Sequence, residues 1–239
     1  MARNVALTGF ARELSDRAKP VRIGLIGSGE MGTDIVSRTA MMDGVDVAAI
    51  AEIRPKAAHD AVATAYGETG HSRDASSTDA LNRVIEDGHI AIASDALQMF
   101  ESGLIDVVID ATGVPAVGAE LGLAAMERGK HLVMMNVEAD VTIGAFLRSE
   151  AERLGVVYSL GAGDEPSSCM ELIEFATSMG HDIVCAGKGK NNPLNFDALP
   201  EDYMIEAKAR NMNARMLVEF VDGSKTMVEM AAIANATGL

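Results

Sequence analysis

The hydrophobic pattern of the chain alternates between short apolar runs and longer segments whose apolar residues recur at helical spacing. The spacing of Ile35, Val36 and Thr39, like that of Val117, Leu121 and Ala125, is typical of one face of a helix. The apolar runs are typical of buried strands, and they cover Val21–Ile26, Val45–Ala51, Ile90–Ala93, 105–109, 131–135 and 156–160. This alternation predicts an α/β fold of the Rossmann type, a doubly wound parallel sheet with helices on both faces.

The pattern changes after residue 181. Residues 183–186 are strand-like, 187–200 have no period, and 201–210 favour a helix. The apolar run 216–221 suits subunit pairing in a sheet, and a final helix extends through Ala236. We therefore predict the start of a mixed α+β catalytic domain, with an N-terminal arm at 1–19, a dinucleotide-binding domain at 20–165 and a partial catalytic or oligomerisation domain at 166–239.

The N-terminal arm carries Leu7, Phe10, Ala11 and Leu14 at a spacing that suits one face of a short helix. We expect the arm to pack on the domain or on a partner subunit.

Glycines follow the first predicted strand in the pattern G-x-G-x-x-G. Gly27 permits a tight turn, Gly29 lets a pyrophosphate approach the backbone, and Gly32 lets helix and strand pack closely. Because a strand precedes this loop and a helix follows it, the context favours dinucleotide binding over a plain glycine-rich turn. The predicted loop also includes Ser28, Glu30 and Met31.

The second predicted strand ends at Glu52, 20 residues after Gly32, where a ribose-binding carboxylate is expected. Glu52 favours NAD because it would repel a 2′-phosphate, whereas Arg54 favours NADP because it could pair with that phosphate. We expect NADP, with NAD as the alternative. Thr112, Gly113 and Asn136 follow two later strands and are predicted to contact the nicotinamide half of the cofactor.

Composition excludes several classes of function. The 239-residue chain has a formal charge of −15, which argues against a nucleic acid as partner. No apolar run approaches the ~20 residues that span a membrane, and two cysteines are too few for a disulfide framework. We therefore expect a cytoplasmic protein that acts on a small anionic molecule.

Two later loops concentrate polar side chains. The segment 161–168 holds Asp164 and Glu165, and with Glu229 these carboxylates predict a site for Mg²⁺ or Mn²⁺. The segment 187–192 places two lysines and two amides together, which suits a phosphate or carboxylate and a polarised carbonyl. The alternative for the second loop is an ordinary solvated loop. The predicted catalytic residues are Lys188, Lys190, Asn191, Asn192, Asp164 and Glu165.

Several motifs together resemble the homoserine-dehydrogenase-like oxidoreductases that include deoxyxylulose 5-phosphate reductoisomerase-like, SAF-domain-containing enzymes. The resemblance covers essentially the whole chain, and the motifs are the glycine loop at 27–32 and the segments 110–113, 130–140, 161–168, 187–192, 222–226 and 229–232. It implies an NADPH-dependent enzyme that isomerises deoxyxylulose 5-phosphate and reduces the product to methylerythritol 4-phosphate for isoprenoid synthesis. Since family members continue into a further domain, we expect a C-terminally short form.

Two alternatives remain open. A homoserine or sugar-acid dehydrogenase of the same fold would use a non-phosphorylated substrate, although Val137 stands where homoserine dehydrogenases usually place a lysine after Asn. A nucleotide-binding regulatory module would bind the cofactor without turnover. We expect a homo-oligomer in each case.

Overall fold

The computed structural model describes residues 9–209 and 213–239. Seven strands form, namely β1 Val21–Ile26, β2 Val45–Ala51, β3 Ser72–Asp74, β4 Ile90–Ala93, β5 Val107–Asp110, β6 His131–Met134 and β7 Tyr158–Leu160. The helices are α1 Gly9–Ser15, α2 Glu30–Thr39, α3 Pro55–Tyr66, α4 Thr78–Glu86, α5 Ala96–Phe100, α6 Pro115–Glu127, α7 Val137–Leu154, α8 Glu165–Ser178, α9 Met204–Ala209, α10 Ala214–Val221 and α11 Ser224–Thr237, with a 3₁₀ turn at Pro200–Tyr203.

The seven strands form one sheet in the order β3-β4-β2-β1-β5-β6-β7. Strand β1 pairs in parallel with β2 on one side and with β5 on the other. Strands β2, β3 and β4 therefore extend the sheet on one side of β1, and strands β5, β6 and β7 extend it on the other side. This arrangement confirms the predicted doubly wound fold, and it puts the switch of direction, where such sheets bind ligands, at the carboxyl ends of β1 and β5.

The central strands are mostly apolar because both faces of the sheet are covered. All four residues of β4 are buried, as are the last four of β1. Leu25 and Ile50 are fully buried in a core cluster that also contains Val36 from α2 and Val62 from α3. This packing fixes the end of β1 against the helix that follows it.

Both strands predicted after residue 181 are wrong. Residues 183–186 have no regular secondary structure, and 216–221 lie in helix α10. In that helix Leu217 and Val218 are buried, and the Asn213 side chain caps the N-terminus by accepting from the Arg215 N–H at 2.9 Å. A cap and a single buried face stabilise a helix, so an apolar run of this length did not by itself indicate a strand.

Two short elements were not predicted. Strand β3 carries Ser72, Arg73 and Asp74, whose polarity is typical of a loop, yet it pairs with β4 at the edge of the sheet. Helix α5 has only five residues and is capped by Asp95. Neither segment is long enough to show a hydrophobic period.

Contacts divide the chain into two units. The first comprises the described residues through Asn136 together with Leu147–Ser159, and the second comprises Val137–Phe146 and Leu160–Leu239. Among the described residues of the second unit after Leu160, helices and loops form but no strand. Within the two described stretches of chain, no helix combines the length and the apolar character that crossing a bilayer requires.

The N-terminal arm contributes helix α1 to the first unit. Of the predicted apolar face, Leu14 is buried in the core cluster, Phe10 and Ala11 are exposed, and Leu7 lies outside the described residues. The backbone of Leu14 lies close to Gly44, where a Cβ atom would come within 1.9 Å of the Leu14 carbonyl oxygen. The arm is therefore held by a close backbone contact as well as by one apolar side chain.

A pair of glycine substitutions tests that contact. Gly44 and Gly88 both adopt positive φ angles, +77° and +81°, but an added Cβ atom meets nothing within 4 Å at Gly88. We expect Gly88→Ala to cost about 1–2 kcal/mol through backbone strain alone. Gly44→Ala should cost about 1–3 kcal/mol more, because the arm must also move. Urea unfolding measures both values, and equal losses would contradict the contact.

Candidate nucleotide site and carboxylate cluster

The glycine loop after β1 uses each of its three glycines for a different reason. Gly27 has a φ of +89°, and a Cβ atom there would lie 2.9 Å from the Ala111 carbonyl oxygen. A Cβ atom at Gly32 would lie 2.2 Å from the Gly27 carbonyl oxygen, so helix α2 begins in direct contact with the turn. At Gly29 an added Cβ atom would meet nothing within 4 Å. The first and third glycines are therefore required by the fold, and the second leaves open space beside the backbone.

The N-terminus of α2 begins at this open space. Gly29 is the N-cap residue, and no side chain caps the helix. Thr33 binds the carbonyl group of Gly29: the Thr33 N–H and hydroxyl both donate to the Gly29 carbonyl oxygen, at 2.9 and 2.8 Å. A helix start with no capping side chain, beside a glycine with free space, fits the pyrophosphate of a dinucleotide. Of the other predicted loop residues, Ser28 is buried, whereas Glu30 and Met31 are exposed.

Glu52 lies just past the end of β2 and is 8% exposed. Its carboxylate accepts hydrogen bonds from the Ser28 N–H and hydroxyl at 3.0 and 2.9 Å, and from the Arg54 N–H at 3.1 Å. Burial alone would raise the pKa of Glu52, but the hydrogen bonds from Arg54 and Ser28 outweigh burial and lower it. The residue predicted to bind the ribose thus also fixes the glycine loop, and it does so as an anion.

Arg54 adjoins this carboxylate. Its Nε atom lies 3.8 Å from Glu52 Oε1, while 78% of its side chain is exposed. An exposed pair at that distance contributes little to stability. The guanidinium therefore remains accessible to a ligand at the carboxyl end of β2.

The ends of β5 and β6 bring together polar groups that were predicted to approach the nicotinamide. The Thr112 N–H donates to Asp110 Oδ1 at 3.2 Å, and the Val114 N–H lies 3.4 Å from the Thr112 hydroxyl. Asn136 is 2% exposed and interacts with the Asp110 carboxyl. Gly113 is exposed, with a φ of +64°. The sequence did not single out Asp110 itself, which lies at the centre of this group.

A second group of charged side chains lies within the second unit. The Lys188 ammonium is 2.8 Å from Glu165 Oε1 and also forms an ion pair with Glu229, which is 1% exposed. Carboxylate oxygens of Asp164, Glu165 and Glu229 lie within 4.8 Å of one another. We call Lys188, Asp164, Glu165 and Glu229 together the carboxylate cluster. An oxygen-only set of this size fits Mg²⁺ or Mn²⁺ chemically, although Lys188 already neutralises part of its charge.

The two neighbouring carboxyls of the carboxylate cluster differ in proton affinity. Burial and the adjacent Glu165 raise the pKa of Asp164 to about 6, while the Lys188 hydrogen bond lowers the pKa of Glu165 to about 2. Burial would lower the pKa of Lys188, but the bonds to Glu165 and Glu229 outweigh burial and raise it. With one lysine against three acidic groups, the cluster is net anionic above the pKa of Asp164.

The remaining residues predicted for the substrate make other contacts. The Lys190 ammonium lies 5.6 Å from the centre of the Phe220 ring, and Asn191 is exposed. The Asn192 amide donates to the carbonyl oxygens of Pro193 and Phe220 at 3.0 and 3.1 Å. These contacts stabilise the loop, so the compact cationic group predicted at 187–192 is replaced by a lysine bound to carboxylates.

One further ion pair was not predicted. Lys225 Nζ, in the first turn of α11, lies 3.6 Å from Glu138 Oε1, and the charge of Lys225 also acts on Asp164. No sequence signal indicated this ion pair, because Lys225 is a single lysine inside a helical pattern.

Comparisons with known proteins connect both regions to oxidoreductases. Residues 27–160 match the family model "Homoserine dehydrogenase, NAD binding domain", and residues 163–239 match "Oxidoreductase DRL, catalytic domain". The search of curated proteins found no match.

Three similar solved structures span a range of oxidoreductases. An NAD binding oxidoreductase from Klebsiella pneumoniae is 19% identical, with 67% of this chain and 39% of that chain covered and a TM-score of 0.47. The WlbA dehydrogenase from Bordetella pertussis, in complex with NADH and UDP-GlcNAcA, is 18% identical, with 68% of this chain and 41% of that chain covered and a TM-score of 0.48. A homoserine dehydrogenase from Thiobacillus denitrificans is 19% identical, with 67% of this chain and 34% of that chain covered and a TM-score of 0.45. The chain thus spans 34–41% of the length of these three structures.

Two alanine substitutions separate the structural glycine from the ligand-facing one. Gly32→Ala should lower the free energy of unfolding by about 1–3 kcal/mol or more, because its Cβ atom would clash with backbone. Gly29→Ala should leave stability within about 1 kcal/mol of wild type but weaken nucleotide binding about tenfold, because the methyl group enters the open space. Unfolding curves and titration with NADPH measure both effects, and unchanged binding in Gly29→Ala would contradict this placement of the pyrophosphate.

Proposed function

We propose that this chain, which belongs to the family of homoserine dehydrogenase NAD-binding domains, forms the nucleotide-binding part and part of the catalytic region of an NAD(P)-dependent oxidoreductase. The observation that carries the proposal is the glycine loop, where Gly32 is packed against backbone and Gly29 faces open space. The fold requires the first feature, and the second leaves room for a ligand beside the uncapped start of α2.

In this proposal, different residues of the first unit contact different parts of the nucleotide. The loop from Gly27 to Gly32 and the start of α2 receive the pyrophosphate, and Glu52 and Arg54 lie on the adenine ribose side. Thr112, Gly113 and Asn136 approach the nicotinamide. When bound, the cofactor supplies or accepts the hydride, while the protein positions it and excludes water.

We propose NADP as the preferred cofactor, with NAD as the alternative. Three internal hydrogen bonds already occupy both oxygens of Glu52, which limits its capacity to bind the ribose hydroxyls. Arg54 is exposed and can pair with a 2′-phosphate. The Glu52 anion would repel that phosphate, so the preference for NADP depends on Arg54.

Removing Arg54 tests the preference. Arg54→Ala should raise the Kd for NADPH about tenfold and leave the Kd for NADH within about twofold, since a charged hydrogen bond contributes about 1.5–3 kcal/mol. The control is Arg38→Ala, which removes an exposed arginine from the last turn of α2. Isothermal titration gives all the constants. If both cofactors lose affinity equally, or neither does, Arg54 does not read the 2′-phosphate.

The carboxylate cluster of the second unit is the proposed substrate-binding group. Because Lys188 is paired with Glu165 and Glu229, its charge is not free to bind a phosphate. The anionic surroundings instead favour a divalent cation, or hydroxyl groups that exchange hydrogen bonds with both the ammonium and the carboxylates. If Mg²⁺ or Mn²⁺ binds, Asp164, Glu165 and Glu229 are its ligands, and the metal would supply polarisation of a substrate oxygen.

We propose a hydroxyketone or hydroxyaldehyde as the substrate class, with deoxyxylulose 5-phosphate as the first compound to test. The support is the motif resemblance to reductoisomerase-like enzymes together with the carboxylate oxygen set of the carboxylate cluster. Homoserine and sugar acids are the alternatives, and each lacks the phosphate. NADPH oxidation with deoxyxylulose 5-phosphate and NADP⁺ or NAD⁺ reduction with homoserine or a sugar acid, each with and without Mg²⁺ or Mn²⁺, distinguish them. Tight cofactor binding without turnover of any compound would favour the regulatory module.

Lys188 provides the mutational test of the substrate role. Lys188→Ala should reduce kcat/KM at least about 100-fold while the Kd for NADPH stays within about twofold. Because it leaves Glu229 buried without a partner, this variant should also lose about 3–5 kcal/mol of stability. The double variant Lys188→Met with Glu229→Gln removes both charges and should recover most of that stability without recovering turnover.

The matched control is Lys208→Ala, which removes an exposed lysine from α9. Wild-type turnover in a folded Lys188 variant would refute the substrate role of the carboxylate cluster, and recovery of turnover in the double variant would show that the loss came from instability alone.

A further inference from the structure

Asp110 is the most deeply buried carboxyl group at the nucleotide end of the sheet. It is the last residue of β5 and is 0% exposed. Its backbone lies opposite Ile26 of β1 on one side and Met134 of β6 on the other. The side chain therefore lies at the switch point of the sheet, between the strand that leads into the glycine loop and the strand that leads to Asn136.

The two oxygens of Asp110 have different surroundings. Oδ1 accepts from the Thr112 N–H at 3.2 Å, whereas Oδ2 is buried with no hydrogen-bond partner among the described residues. Helix α6 approaches Oδ2 through Gly118, where a Cβ atom would lie 2.3 Å from Oδ2 and 3.1 Å from Asn136 Nδ2. Any other residue at position 118 would occupy the space that the carboxyl group needs.

Within the described parts of the chain, no charged group is among the residues that face this carboxyl. The residues that face it from β1, β6 and α6 are Ile26, Met134, Asn136 and Gly118, and none of them titrates. Burial raises the pKa of Asp110, and its interactions with Thr112 and Asn136 only partly offset this. An isolated buried carboxylate is costly, so such a group normally remains neutral.

We infer that Asp110 is a positioning residue whose buried carboxyl group, fitted against Gly118, holds the Thr112 and Asn136 loops in place for the nucleotide. The part of this inference that concerns the nucleotide rests on the proposed function. The raised pKa of Asp110 and its fit to Gly118 do not, so they are tested separately.

A double-mutant cycle tests the fit. Gly118→Ala should lower the apparent Tm by about 5 °C, because the new methyl group clashes with Asp110 Oδ2. In an Asp110→Ala background the same substitution should lower Tm by less than about half as much, since the methyl group then enters vacated space. Equal losses in the two backgrounds would overturn the contact.

The pH dependence of stability tests the proton. An unfolded aspartate loses its proton near pH 3.9, whereas Asp110 in the folded protein keeps its proton to higher pH. Wild type should therefore lose stability relative to Asp110→Asn as pH rises from about 4 towards the folded pKa, and the Tm of the variant should rise relative to wild type over that range. If the difference in Tm between Asp110→Asn and wild type stays constant with pH, or falls, the pKa of Asp110 is not raised.

The control for the pH measurement is Asp46→Asn, which removes an exposed aspartate from β2. Its difference from wild type should show no comparable rise over the same range of pH.

Cofactor titration tests the positioning role. Asp110→Ala should raise the Kd for NADPH at least about fivefold, and Asp110→Asn, which keeps the shape and one acceptor, should recover most of the affinity. Wild-type affinity in a folded Asp110→Ala variant would overturn positioning. If wild type itself binds neither NADPH nor NADH, the proposed function fails and positioning fails with it, while the Tm cycle and the pH profile still decide the state of Asp110.

Discussion

The contact between the start of helix α2 and the turn after β1 is the constraint on which the nucleotide site depends. An added methyl group at Gly32 would lie 2.2 Å from the Gly27 carbonyl oxygen, so only glycine allows the helix to begin this close to the strand. That approach aims the uncapped N-terminus of α2 at the space beside Gly29. The core cluster fixes the other side of the contact, because Leu25 of β1 and Val36 of α2 are buried in it together.

Three buried carboxyl groups differ in which partners stabilise their negative charge. Glu52 remains ionised because Ser28 and Arg54 donate three hydrogen bonds to it. Glu229 is paired with the Lys188 ammonium. Asp110 has neither kind of partner at Oδ2 among the described residues, and burial raises its pKa. Each arrangement lies where the chain is proposed to bind cofactor or substrate, which is where perturbed carboxyl groups are expected to concentrate.

Sequence patterns predicted the sheet because its strands are short apolar runs between glycines and helices. The first two strands were predicted with the observed bounds, and the roles of Gly27 and Gly32 followed from spacing alone. The helix at 214–221 was missed because a short apolar run does not distinguish a buried strand from a helix face. The segment 110–113 was singled out, but the burial of Asp110 was not predicted, because it results from packing against Gly118, eight residues later, and no local pattern carries that information.

A crystal structure of the chain grown with NADPH would show where the cofactor binds. We expect the pyrophosphate oxygens within hydrogen-bond distance of the backbone N–H groups at residues 29–32, with the adenine ribose beside Glu52 and Arg54. Cofactor bound elsewhere on the sheet, or a crystal grown at saturating NADPH whose loop holds none, would contradict it.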